Sequence, residues 1–350
     1  MTVTYADGFV AAGIAAGIKS NGNKDLALVQ NLGPLDAAAA VFTSNRSQAN
    51  PIIWSREVIK DGRVSAIVLN SGGANCFTGA QGFQATHSTA EAVGTALAIS
   101  SGDVLVCSTG LIGDQLPIHK VLDGVGVLST AIHPDGGQDA AEAIMTTDSV
   151  SKTVTREGAG YRIGGMAKGA GMLAPGLATM LVVLTTDAVL TSHQLDRALR
   201  EATRVSFDRL DSDGCMSTND QVTLMASGAS EVEPHLDDFT ALLTDACLDL
   251  ARQLQRDAEG ASHDITITVS ESKHEDDAVE VAHHDALGSL FDDAGGQLPQ
   301  GPGLPGRPRG LFRSCRRAGV PGEGDQRPAA DARLGAHRGD HRVRRFRRLV

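Results

Sequence analysis

The stretch Gly164–Ala188, GGMAKGAGMLAPGLATMLVVLTTDA, constrains this chain more than any other. A glycine-dense, lysine-bearing loop runs into Ala178-Thr179, and an apolar run suited to a buried strand follows at once. Glycine permits conformations and close backbone approaches that a side chain forbids. A threonine heading a buried strand, directly after such a loop, stands where a nucleophile has to stand. Were the bond before it cut, Thr179 would gain a free amine beside its own hydroxyl. Such an amine can act as the base that activates the hydroxyl, with no histidine needed. Its ordinary pKa of about 7.7–8.0 leaves a usable neutral fraction near neutral pH. Taken alone, the stretch would more often be a glycine-rich turn entering an ordinary core strand.

The rest of the chain narrows the setting. With 350 residues, 41% of them hydrophobic, it can bury one elaborate core or two modest ones. Aromatic residues make up only 3%, with Trp54 the one tryptophan, so the core must rest on Ala, Val, Leu and Ile. A net charge of −11 argues against a nucleic-acid partner held by charge neutralisation. Cys76, Cys107, Cys215, Cys247 and Cys315 are scattered and lack any CxxC spacing, which fits reduced thiols in a cytosol better than a disulfide or zinc framework. No basic leader precedes the Ala/Gly-rich start, and no run of 18 apolar residues occurs. A soluble, cytoplasmic protein without a membrane partner is expected.

Short aliphatic runs bounded by Gly, Ser, Asn or Asp predict strands at Leu26–Gln30, Val64–Asn70, Val104–Cys107, Met180–Thr186, Val222–Ala226 and Ile265–Val269. Helical periodicity predicts helices over Gln84–Ala98, over Ser192–Asp208 with Thr191 as N-cap, and over Asp237–Glu259. The last of these aligns Leu242, Leu243, Ala246, Leu250 and Leu254 on one stripe. Mixed strands and helices of this kind mean an α/β or α+β layered sandwich.

From His283 to Val350 the composition changes: Lys, Asn, Ile, Thr, Met, Tyr and Trp vanish, and 6 of the 12 prolines fall there among many Arg and Gly. A disordered basic tail is one reading. A shifted reading frame in a GC-rich gene is the favoured one, and sequencing across codon 283 decides between them.

Several blocks repeat the pattern of one known family. Lys168–Ala188 matches KGxGMxxPxxATMLxxxTTDA, and Ser108-Thr109-Gly110-Leu111-Ile112-Gly113 matches STGxIG. Asn70–Gly79 matches an NSGNAN loop with Gly73 in place of Asn, and Asp213–Asp220 matches DGDxSTND with Cys215 in place of Asp. Gly8–Lys19 and Val41–Arg46 also match. Over about residues 5–282 the chain resembles the ornithine acetyltransferases, the bifunctional glutamate N-acetyltransferases of arginine biosynthesis. The resemblance implies their layered fold, which is like that of N-terminal-nucleophile hydrolases in arrangement but has its own topology. It also implies self-cleavage between Ala178 and Thr179 into an alpha chain (1–178) and a beta chain (179–282 and the aberrant tail 283–350).

By the same matching, Thr179 is the nucleophile, and the Thr109 hydroxyl and Gly110 N–H form the oxyanion hole. Thr146 (with Thr147 a close rival), Lys168 and Glu259 hold the substrate's amino-acid end. Lys168 would pair with a carboxylate, and Glu259 would either hold an ammonium group or tune the nucleophile's amine. The expected reaction moves acetyl from N-acetylornithine to glutamate, with acetyl-CoA as an alternative donor, and requires no metal or bound cofactor. An assembly of two alpha and two beta chains is implied. The resemblance also implies an Asn and a Ser/Thr that close the site near the C-terminus, and residues 283–350 hold no stretch equivalent to either. Two other readings remain: an amidase or aminopeptidase in which water takes the acyl group, and an inactive chain.

Overall fold

The computed structural model describes residues 2–172, 180–261, 264–283 and 348–349. Residues 1–264 with 349–350 form one compact unit, which carries the nine sheet strands and six helices labelled below, and residues 265–348 form a second. Within the second unit a helical segment runs over 275–283.

Nine strands of the first unit make two sheets. One holds β1 (Phe9–Ile14), β2 (Leu26–Asn31), β4 (Ala66–Gly73) and β5 (Val104–Leu111) in that order. The other runs β3 (Ala37–Phe42), β9 (Gln221–Ala226), β8 (Leu181–Thr186), β7 (Arg162–Lys168) and β6 (Lys152–Glu157). β4 and β5 pair in parallel, as do β8 and β9; every other neighbouring pair is antiparallel. Parallel neighbours need a crossover. The helix α2 (Gly79–Leu97) supplies the first, and α5 (Ser192–Arg204) the second. The remaining helices are α1 (Asn50–Val58), α3 (Ile118–Ala131), α4 (Gly137–Ala143) and α6 (Leu236–Arg256).

Side-chain alternation along the strands sets the layers. Ala66 and Val68 of β4 face α2 and α3 with Val93, Val121 and Leu128, while Ile67 and Leu69 face inward. Leu181 and Val183 of β8 meet them from the second sheet, with Phe9, Leu105, Met166 and Met225 in the same inner cluster. Val182 and Leu184 point the other way, onto Leu195 and Leu199 of α5 and Leu243 and Leu250 of α6. The order is therefore helix, sheet, sheet, helix, the layered sandwich expected. Both faces of each central strand are covered, which is why these strands read as continuous apolar runs rather than alternating ones.

Five of the six expected strands are present. The sixth is corrected: of the Ile265–Val269 run only Ile265 is extended, as the second residue of a short Asp264–Ile265 strand, and residues 265–269 are exposed or half-exposed. Burial that would reward pairing is missing there. The three expected helices occur with shifted ends. The last stops at Arg256, so Glu259 sits in a following turn rather than on the helix. Leu243, Ala246, Leu250 and Leu254 are buried as the stripe requires, with Leu242 half-buried. Thr191 caps α5 with a full capping box, its hydroxyl accepting from Gln194 N–H while Gln194 Oε1 accepts from Thr191 N–H at 2.8 Å.

The loop expected across Gly164–Thr179 also needs correction. Gly164–Lys168 belongs to β7. A Cβ at Gly164 would stand 2.4 Å from Thr2 O, and one at Gly165 would stand 2.8 Å from Leu184 Cδ2. These glycines mark close packing around a strand, not a turn.

Candidate active site

The matched blocks converge where β5 and β7 end. β5 stays buried through Thr109, which is 1% exposed, and then emerges at Gly110. Gly110 has φ +127°, and a Cβ there would collide with the Gly72–Gly73 peptide at 2.6 Å, so only glycine fits. Three exposed apolar side chains, Phe77, Leu111 and Ile112, stand beside this turn, whose Gly113 N–H donates to Cys76 O at 3.0 Å.

Lys168, the last residue of β7, is 2% exposed, and its Nζ donates to Thr109 Oγ1 at 3.2 Å. A hydroxyl that accepts from an ammonium keeps its own proton to donate elsewhere. Burial lowers the Lys168 pKa. Asp148 and Asp220 oppose that loss of charge, while Lys152 and Lys19 add to it. Far from a solvated loop charge, this is a cation enclosed by the fold.

Thr146 follows α4 and is half-buried, whereas Thr147 is exposed. Thr146 N–H donates to Asp148 Oδ2 at 2.9 Å. The other Asp148 oxygen takes Gly169 N–H at 2.6 Å and Lys152 Nζ at 2.6 Å. Burial works against the Asp148 charge, but the Lys168 and Lys152 ammonium groups outweigh it and hold the carboxyl below the ordinary range. Glu259 is exposed; its N–H donates to Ala170 O at 2.5 Å, and its Oε2 lies over Gly171, where a Cβ would stand 2.7 Å away. Lys168 and Glu259 thus meet at one short segment, 168–171, and Thr146 is tied to it through Asp148.

Ala178 and Thr179 lie outside the described residues. The next residue is described: Met180 N–H donates to Asp220 Oδ1 at 3.0 Å. Asp220 is wholly buried, and its Oδ2 has no hydrogen-bond partner among the described residues. Burial raises its pKa well above the usual carboxylate value, against the Met180 N–H, the Ser217 hydroxyl and the Lys168 charge.

The two blocks without assigned chemistry turn out to frame this end of the fold. Asn219 Nδ2 donates to Ala74 O at 2.6 Å and to Ser108 O at 2.9 Å, joining the loops after β4 and before β9 to β5. Ser108 Oγ donates to Asn70 Oδ1 at 2.6 Å, Asp213 Oδ2 accepts from Met172 N–H at 2.7 Å, and Thr43 N–H donates to Asp220 O at 3.0 Å. Asp148, Lys152 and Asp220 were not singled out from the sequence. Asp220 did lie within a quoted block, Asp213–Asp220, where an acid closing a run of small and polar residues was the available signal. Among the described residues, no three His, Cys, Asp or Glu side chains group to hold a metal ion.

The family model described as "ArgJ family" matches residues 10–294. The chain belongs to the ArgJ family. The match runs past residue 282, where the resemblance was expected to stop, and leaves 295–350 outside it. The arginine biosynthesis bifunctional protein ArgJ of Streptomyces avermitilis is 60% identical over 291 residues, covering 83% of this chain and 76% of that protein. The ArgJ of Mycobacterium tuberculosis is 52% identical over 300 residues, covering 83% and 74%. Among solved structures, ornithine acetyltransferase from Mycobacterium tuberculosis complexed with ornithine is 51% identical, with a TM-score of 0.49, covering 51% of this chain and 96% of that chain. No helix among the described residues of this ArgJ chain is long and apolar enough to cross a membrane.

Proposed function

We propose that this ArgJ-family chain is an acetyltransferase of arginine biosynthesis that works through an acetyl-threonine. Thr179 Oγ attacks the Ala178 carbonyl, the peptide bond breaks, and water releases residues 1–178 from a new chain starting at Thr179. The freed amine then takes the hydroxyl proton as Oγ attacks the acetyl group of N-acetylornithine. The tetrahedral oxyanion is held by the Thr109 hydroxyl and the Gly110 N–H. Ornithine leaves, and glutamate accepts the acetyl group; acetyl-CoA is an alternative donor.

Lys168 holds the substrate carboxylate, with Thr146 and Glu259 completing the amino-acid end. The protein works in the cytoplasm as two alpha and two beta chains. One observation carries this reading: the buried Lys168 ammonium donates to Thr109 Oγ1, leaving that hydroxyl's proton free for an oxyanion.

Denaturing mass spectrometry tests it. Wild-type protein should give two fragments divided between Ala178 and Thr179, and Thr179→Ala should give one intact chain. An intact wild-type chain would overturn the reading, and acetate formed without N-acetylglutamate would favour hydrolysis.

A further inference from the structure

We propose that Asp148, Lys152 and Asp257 form a buried anion–cation–anion relay that positions the three substrate-holding side chains, Thr146, Lys168 and Glu259, relative to one another. The inference rests on the reading above and assigns residues that reading leaves unused. Lys152 is 0% exposed, the Asp148 side chain is 0% exposed and that of Asp257 is 9% exposed. Lys152 Nζ reaches Asp148 Oδ1 at 2.6 Å and Asp257 Oδ2 at 2.5 Å.

Each end of the relay fastens part of the site. Asp148 takes the N–H of Thr146 itself and that of Gly169, the neighbour of Lys168. Asp257 lies two residues before Glu259, and its carboxylate also takes the N–H and hydroxyl of Ser149, next to Asp148. Lys152 and Asp148 together thus tie the segments around residues 148, 169 and 257 to one another. Burial strongly disfavours a charge that loses its partner, so the relay tolerates little displacement of any member. Loosening it should shift substrate-holding groups by an ångström or so, and a misplacement of that size costs up to about 100-fold in turnover or affinity.

Burial first lowers the Lys168 pKa, and two members of the relay, Asp148 and Lys152, then bias its charge in opposite directions. The charged groups facing that ammonium are Asp148 from the α4–β6 loop, Lys152 from β6, Asp220 from the lead into β9, and Lys19 from the β1–β2 connection. Asp148 favours its proton and Lys152 disfavours it. Removing the first should therefore lower the Lys168 pKa, and removing the second should raise it. A merely structural role predicts no such opposition.

The test compares Asp148→Asn, Lys152→Met and Asp257→Asn in the full chain. It reads kcat and KM for N-acetylornithine and glutamate from pH 6 to 10, L-ornithine binding by calorimetry, and melting temperature. All three variants should raise KM and the ornithine dissociation constant roughly tenfold or more. The alkaline limb of kcat/KM, where Lys168 loses its proton, should move to lower pH in Asp148→Asn and to higher pH in Lys152→Met. It should stay in place in Asp257→Asn. Limbs that move together or not at all, or KM and binding within twofold while only melting changes, would overturn the proposal. Should Lys152→Met fail to fold, the two Asn variants decide by the same contrast, a shifted limb against an unshifted one. Wild-type protein that binds ornithine but forms no N-acetylglutamate would count against the reaction alone, and the binding constants would still judge the relay.

Discussion

Replacing Thr109 with valine tests the oxyanion assignment at one atom. Valine keeps the branched shape of a residue that is 1% exposed and removes only its hydroxyl. Two separable losses follow. The hydrogen bond from Lys168, long at 3.2 Å, belongs at the low end of the 1.5–3 kcal/mol range for bonds to charged groups, about 1.5 kcal/mol. For a unit of this size that is a fall of roughly 3–6 °C in melting temperature. Loss of one oxyanion donor lowers kcat by about 10²–10³-fold, or about 2.7–4 kcal/mol of transition-state stabilisation. Because self-cleavage passes through a tetrahedral oxyanion too, the cleaved fraction is counted by mass spectrometry and kcat is expressed per cleaved chain. N-acetylglutamate formation and calorimetry supply the two readouts. Thr109→Ser, which restores the oxygen, should recover most of both. If Thr109→Val melts lower yet turns over within threefold of wild type, the hydroxyl serves Lys168 alone and the oxyanion reasoning fails.

Two further substitutions probe stability. Asp220→Asn should raise the melting temperature, increasingly so toward alkaline pH. A buried acid with a raised pKa binds its proton more tightly folded than unfolded, so its stabilisation is complete below the ordinary carboxylate pKa and fades as pH rises through the folded value. Parallel melting curves of the two proteins from pH 5 to 9 would refute this. Thr191→Ala removes the α5 capping box and should cost about 1 kcal/mol, seen as a lower urea midpoint with an unchanged slope; an unmoved midpoint would show that packing of Leu195 and Leu199 alone holds that helix start.

Residue pattern alone established the family and pointed to the chemistry proposed above. Glycines that must be glycines, an Ala-Thr junction heading an apolar strand, and the Thr109-Gly110 pair are local signals, legible without a fold. It also set the central strands, because runs such as Leu181–Thr186 are buried on both faces. β3, with four alanines, and β7, with two glycines, were not legible. Their intrinsic preferences run against strand, and only neighbours on the sheet hold them extended.

Tertiary structure alone decided the electrostatics. Lys168, Lys152, Asp148 and Asp220 are ordinary charges in a string of letters, and nothing in their spacing says they are buried. Folding brings residues 109, 148, 168, 220 and 257 to one end of two sheets and withdraws them from water. There each charge depends on the others, since burial penalises an ion until an opposite charge or a hydrogen bond compensates.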